Sequence, residues 1–184
     1  GIRALDFLES LPDVDRMRIG ETGASGGASQ TFLLSAVAER VAFSAPVNMV
    51  SLLMQGGSVC ENAPNLRIET NNVEIAALAA PRPLLVVGAT GDWTREVPQR
   101  EGPALAALYK MLNRPTALEV VQFDSPHNYH RGSREAVYRF FGKHILGETD
   151  ETRLAEQNFR APDPATMLAL LVLVTAPGAG LLLP

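Results

Sequence analysis

Four short apolar runs alternate with stretches of helical periodicity along this chain, and that alternation narrows the possible folds more than any other feature. The clearest run, residues 84–89 (LLVVGA), is uninterrupted in the manner of a strand buried on both faces. Residues 16–22, 41–47 and 117–123 read as further strands, the first on a thin apolar signal. Helical spacing covers 2–11, ended by Pro12, then 26–39 with Phe32, Leu33, Ala36 and Val37 on one face. A short helix over 73–79 stops at Pro81 and Pro83, and a longer one over 98–113 carries Leu105, Leu108, Tyr109 and Leu112. A last amphipathic helix spans 133–146, with Ser133 as its N-cap and Val137, Phe140, Phe141 and Ile145 inward. Connections long enough for crossovers then imply an α/β fold: a mostly parallel sheet covered by helices on both faces.

Composition excludes several functions. With 16 Lys+Arg against 20 Asp+Glu the net charge is −4, and 46% of residues are hydrophobic. That is too acidic for a general nucleic-acid binder and too apolar for a disordered chain. One cysteine, Cys60, rules out an internal disulfide framework and any multi-cysteine zinc site. Residues 167–184 carry no charge, but their apolar run at 167–174 falls short of the roughly 20 residues a bilayer span needs, so no membrane partner is expected. The 48–72 connection, rich in Gly, Asn and Ser, is long enough to expect a functional role.

Chemistry enters at Gly23-Ala24-Ser25-Gly26-Gly27, which matches G-x-S-x-G and lies between a predicted strand and a predicted helix. A serine on such a sharp turn projects its hydroxyl clear of the chain, and the turn crowds positions 23 and 27 together, so both call for glycine. The Gly26 amide, at the helix N-terminus, is placed to stabilise an oxyanion. A plain glycine-rich turn with Ser25 as N-cap is the structural alternative. A phosphate loop is excluded by the missing Lys-Ser/Thr and G-x-G-x-x-G patterns.

A serine nucleophile needs a base, and the base needs a carboxylate. His127 and His130 lie in the loop after the fourth strand, on the edge where parallel sheets bind ligands. His127, nearer the strand and stiffened by Pro126, is preferred; His144 falls in the last turn of the final helix, where its charge would complement the dipole. Asp92, just after the strongest strand, is the preferred acid over Asp124 and Glu96, and an Asx-turn role is its structural alternative. Trp93 is either a substrate-stacking surface or ordinary core packing. A metal site on His127, His130 and Asp124 lacks a further ligand and leaves Ser25 unexplained. No cofactor or metal is implied.

The order Ser25, Asp92, His127, each after its own strand, is that of the α/β-hydrolase triad. The stretches RIGETGASGGASQTFLL (18–34), APVNMVSLLMQGGSVCENAP (45–64), NNVEIAALAAPRPLLVVGATGDWT (71–94) and DSPHNYHRGSREAVYRFFGKHILG (124–147) resemble the acetyl xylan esterase-like branch of that superfamily, related to prolyl oligopeptidase catalytic domains. The resemblance implies a serine hydrolase cleaving a carboxylic ester, such as an acetyl group on a carbohydrate. Ser25 would be nucleophile, His127 general base and acid, Asp92 its orienter and Gly26 an oxyanion donor. It also implies a second loop cysteine where this chain has Ser58, and a secreted or periplasmic location with any signal peptide upstream. A serine peptidase and a non-catalytic binding domain are the alternatives. In that family the nucleophile follows the fifth strand, whereas only 24 residues precede Ser25 here. Residues 1–147 therefore read as the C-terminal part of a hydrolase domain, followed by an extension over 148–184. With its first strand left as an open edge, such a chain is expected to be weakly folded and nearly inactive alone.

Overall fold

The computed structural model describes residues 1–62 and 65–167. Its centre is a four-stranded, all-parallel sheet in the order β1 (Gly20–Ala24), β2 (Phe43–Val47), β3 (Leu84–Gly91), β4 (Leu118–Pro126). Around it run α1 (Ile2–Ser10), α2 (Gly26–Val37), α3 (Asn72–Ala77), α4 (Gly102–Met111), α5 (Arg131–Phe141) and α6 (Glu151–Leu154). The expected α/β architecture is present, with apolar clusters on both faces of the sheet. On one face Ala28, Phe32, Ile75, Leu105 and Tyr109 pack over Leu84 and Val86. On the other, Ala136, Val137 and Phe140 of α5 cover Ala45, Val47, Leu85 and Val87. Alternate residues of β3 thus serve opposite cores, which is why its sequence reads as an unbroken apolar run.

Several boundaries differ from expectation. Residues 16–18 form a 3₁₀ turn capped by Asp15, and the first strand is Gly20–Ala24. This strand contains two glycines and pairs with β2 alone among the described residues, so it lacks the apolar signature of its neighbours. On α2 the buried positions are Gly26, Ala28, Ser29, Thr31, Phe32 and Ser35, while Val37 lies outside at 72% exposure. The helix after β3 opens with a π turn at Val97–Glu101 before α4 begins. On α4, Leu105 and Tyr109 are buried while Leu112 faces outward. The helix predicted over 133–146 is α5, which starts at Arg131 and ends at Phe141; His130, not Ser133, is its N-cap, its Nδ1 accepting the Ser133 amide at 3.3 Å.

β4 holds the detail that matters most for the rim. From Ala89 to Gly91 the chain takes two steps, while their partners Phe123 and Pro126 are three steps apart. The additional residue in β4 is a bulge, and Thr90 Oγ1 donates to Asp124 there at 2.6 Å. Beyond α5, a π turn at Gly142–Leu146 leads to α6, and a bidentate Arg134–Glu156 ion pair (2.5 and 2.7 Å) fastens the following segment back onto α5. The charge-free run from 168 onward lies outside the described residues.

Candidate active site

Register places four residues along the carboxyl edge of the sheet, each the first after its strand: Ser25, Asn48, Asp92 and His127. They fall in two neighbouring pairs. Ala24 is opposite Val47, so Ser25 and Asn48 leave the sheet side by side. Gly91 is opposite Pro126, so Asp92 and His127 do the same.

Ser25 adopts φ 56° and ψ −118°, a strained conformation for a residue with a Cβ. Its amide donates to Val47 O at 3.1 Å and its carbonyl accepts the Ser29 amide at 3.0 Å, so the turn is held from both sides. A Cβ at Gly23 would come within 2.5 Å of the Gly27 carbonyl carbon, which accounts for that glycine. At Gly27 the expected requirement does not hold, since a Cβ there meets nothing within 4 Å. Gly26 is the second constrained position, where a Cβ would sit 2.7 Å from Cys60 Sγ. As the first residue of α2, Gly26 has an amide with no intrahelical acceptor, as an oxyanion donor requires.

Asp92 and His127 form an assembled pair, with Nδ1 2.8 Å from Asp92 Oδ2. An ionised carboxylate only accepts, so Nδ1 carries the proton and Nε2 is the nitrogen free to act as a base. The other Asp92 oxygen accepts from the Thr94 amide (2.6 Å) and hydroxyl (2.5 Å), and the Thr94 hydroxyl in turn accepts the Ala89 amide at 2.8 Å. The Asx turn considered from sequence is therefore present and serves to fix the acid. The Asp92 side chain is 1% exposed, and that of His127 is 32% exposed.

Trp93 lies against the imidazole, ring centroids 4.3 Å apart, and packs onto the main core. Its carbonyl accepts from Ser51 Oγ at 2.5 Å. The competing residues are occupied elsewhere. His130 caps α5 and meets Phe123 edge-on, Asp124 holds Thr90, and Glu96 pairs with Arg100 at 2.8 Å. His144 packs against Phe140 and Phe43, and burial followed by the neighbouring Lys143 charge lowers its pKa, against an opposing pull from Glu119.

The sequence reading missed Glu61. Ser25 Oγ donates to Glu61 Oε1, and among the described residues no hydrogen bond joins Ser25 to His127. Oε2 accepts from the Gly57 (2.8 Å) and Ser58 (3.1 Å) amides, while Arg67 Nη2 holds the Glu61 carbonyl at 2.7 Å. Burial pushes the Glu61 carboxyl upward, but the hydrogen bonds from Ser25, Gly57 and Ser58 outweigh it and leave its pKa below the ordinary range. Glu61 is therefore an anion at neutral pH. Ser58 Oγ lies 2.9 Å from Cys60 Sγ, at the position where the resemblance implied a second cysteine. A cavity of 530 Å³ opens beside the serine, lined by Ser25, Gly26, Gln30, Leu33, Cys60 and Glu61.

No family model matches this sequence, and a search of curated proteins finds no similar one. Among solved structures, Methylesterase BT1017 is 36% identical with a TM-score of 0.74, covering 85% of this chain and 37% of that protein. A carbohydrate esterase family 15 glucuronoyl esterase from Caldicellulosiruptor kristjansonii is 19% identical with a TM-score of 0.64, covering 89% of this chain and 53% of that one. A glucuronoyl esterase from Sporotrichum thermophile is 18% identical with a TM-score of 0.61, covering 89% and 54%. The last two likenesses show the fold alone. Over most of its length the chain has the α/β-hydrolase fold of these esterases. It spans 37% of the methylesterase and about half of each glucuronoyl esterase.

Proposed function

We propose that this chain carries the nucleophile, base and acid of a serine hydrolase that cleaves a carboxylic ester of a carbohydrate through an acyl-enzyme. The observation that carries the reading is the His127–Asp92 pair, formed by strands in register on the same edge as the strained Ser25 turn. The methylesterase and glucuronoyl esterases with the same fold support the ester class.

In this mechanism Ser25 Oγ rotates away from Glu61 and gives its proton to His127 Nε2 while attacking the ester carbonyl carbon. The charge that develops on the carbonyl oxygen is met by the Gly26 amide, and the imidazolium is held by Asp92. His127 returns the proton to the departing alkoxide, leaving the acyl group on Ser25. Water, deprotonated by the same imidazole, then releases the acid and restores the hydroxyl. Catalytic hydrogen bonds in unliganded sites are commonly incomplete until substrate binds, which accommodates the resting Ser25–Glu61 contact.

That same contact favours a second reading, a binding domain whose serine is permanently engaged. A fluorophosphonate probe, together with hydrolysis of p-nitrophenyl acetate and of a uronic acid methyl ester, separates the two. In the full-length protein, labelling and turnover that vanish in Ser25→Ala are expected. Full-length wild-type protein that neither labels nor turns over either ester would overturn the hydrolase reading in favour of the binding one.

A further inference from the structure

We propose that Asn48 is a positioning residue that holds the His127 loop in place over Ser25, an inference that rests on the hydrolase reading above. It is the one rim residue to which that mechanism gives no role. Its place is set by the sheet: as the first residue after β2 it stands beside Ser25 through the Ala24–Val47 pairing, between the nucleophile strand and the acid strand.

Three observations converge on it. Its side-chain Nδ2 donates across 80 residues of sequence to the carbonyl of Asn128, at 3.0 Å, and Asn128 is the residue bonded directly to His127. Its own amide donates to Val87 O at 2.8 Å, so the donor is anchored to β3 rather than to a mobile loop. Finally, it persists in an unfavourable state. It is 1% exposed, has φ 57°, and its Oδ1 is buried with no hydrogen-bond partner among the described residues. A buried acceptor left without a partner is costly, and a left-handed backbone, though Asn tolerates it better than most residues, is one that a packing role alone does not require. Flipping the amide would relieve neither, since Oδ1 would then face the Asn128 carbonyl, acceptor against acceptor. Strain retained at the junction of nucleophile, acid and base loops marks a positional role rather than core packing.

The histidine is thereby held at three points. Asp92 fixes Nδ1, Trp93 supports the ring face, and Asn48 fixes the backbone one residue on. Of these three, the last reaches the β1–β2 side of the site, where the nucleophile sits. One residue further on, the Tyr129 hydroxyl also meets Thr22 Oγ1 of β1 at 2.8 Å, so that side of the loop is tied twice, by its backbone through Asn48 and by a side chain through Thr22. Losing the Asn48 bond would leave the His127–Asp92 pair intact but free the backbone beside the imidazole to shift relative to Ser25.

Asn48→Gly tests this, because glycine keeps the left-handed backbone while removing the donor. The expected result is a drop in kcat of about tenfold or more with KM nearly unchanged, as befits loss of one hydrogen bond felt in the transition state. The acid limb of the pH–rate profile and the NMR titration of the His127 ring nitrogens should shift with it. Asn48→Asp, which keeps volume and backbone preference but turns a carboxylate on the Asn128 carbonyl, should lose at least as much, and it takes the same measurements if the glycine variant does not fold. Unchanged kcat and an unchanged His127 titration, with thermal stability alone reduced, would overturn the proposal. The ring titration needs no turnover. If wild-type protein shows no Ser25-dependent hydrolysis, the hydrolase reading fails by itself, and the titration still decides whether Asn48 holds the imidazole.

Discussion

Two hydrogen-bonded pairs share the carboxyl edge of the sheet, and they are built in different ways. His127 and Asp92 meet because the residues just before them, Pro126 and Gly91, are paired in neighbouring strands. Ser25 and Glu61 meet because the loop between Asn48 and Asn72 folds back over the nucleophile and is pinned by Arg67 and by the Gly57 and Ser58 amides. The first pair can be lost only by disturbing the sheet. The second depends on a long connection, rooted in the main core by Met49 and Val50, whose own amides and Arg67 hold Glu61 in place. A rigid base–acid pair beside a releasable serine is the arrangement expected where the nucleophile must change partners.

Variants of the two pairs should separate along that line. The largest effect belongs to the strand-built pair: His127→Ala and Asp92→Asn should each lower ester turnover by about 10⁴-fold. His130→Ala should leave turnover unchanged while lowering unfolding free energy by about 1 kcal/mol through loss of the α5 cap, read by urea denaturation. A loss of turnover with His130 rather than His127 would reverse the assignment of the base.

Next in size is the loop-built pair. Glu61→Ala should speed fluorophosphonate labelling of Ser25, by up to about tenfold, by removing the competing acceptor. Slower labelling would mean instead that Glu61 assists the serine.

The smallest effect lies away from both pairs, at Glu21 on β1. Burial raises its pKa from 4.5 to about 7, opposed by hydrogen bonds from Ser35 and Ser44. Between those two pH values the folded state binds the proton the unfolded chain has released, so this contribution is full below pH 4.5 and is lost as pH rises through 7. Denaturation midpoints of Glu21→Gln should lack that decline, with turnover untouched.

Much of this arrangement was written in short-range patterns. β2 and β3 announce themselves because both faces are buried, and Ser25, Asp92 and His127 each follow a run that could be read as a strand. What escaped has a physical reason in each case. β1 is a glycine-containing edge strand, so its apolar signal is weak and its predicted limits were displaced toward the 3₁₀ turn before it. His130 replaced Ser133 as cap because an imidazole nitrogen accepts an amide as well as a hydroxyl does. Glu61 and Asn48 gave no sign because their contacts span 36 and 80 residues within connections that carry no periodicity. Only the bare position of Asn48, first after a strand, could have drawn attention to it.

The additional residue in β4 makes length itself part of this site. The bulge lets β4 carry one residue more than β3 while Pro126 still comes opposite Gly91, so deleting a residue between Phe123 and Pro126 would keep that pairing but straighten the strand and remove its local twist. The direction from which the imidazole approaches its carboxylate would change although no residue of the four on the rim had been altered. Spacing, not identity alone, is what an insertion or deletion there would erase.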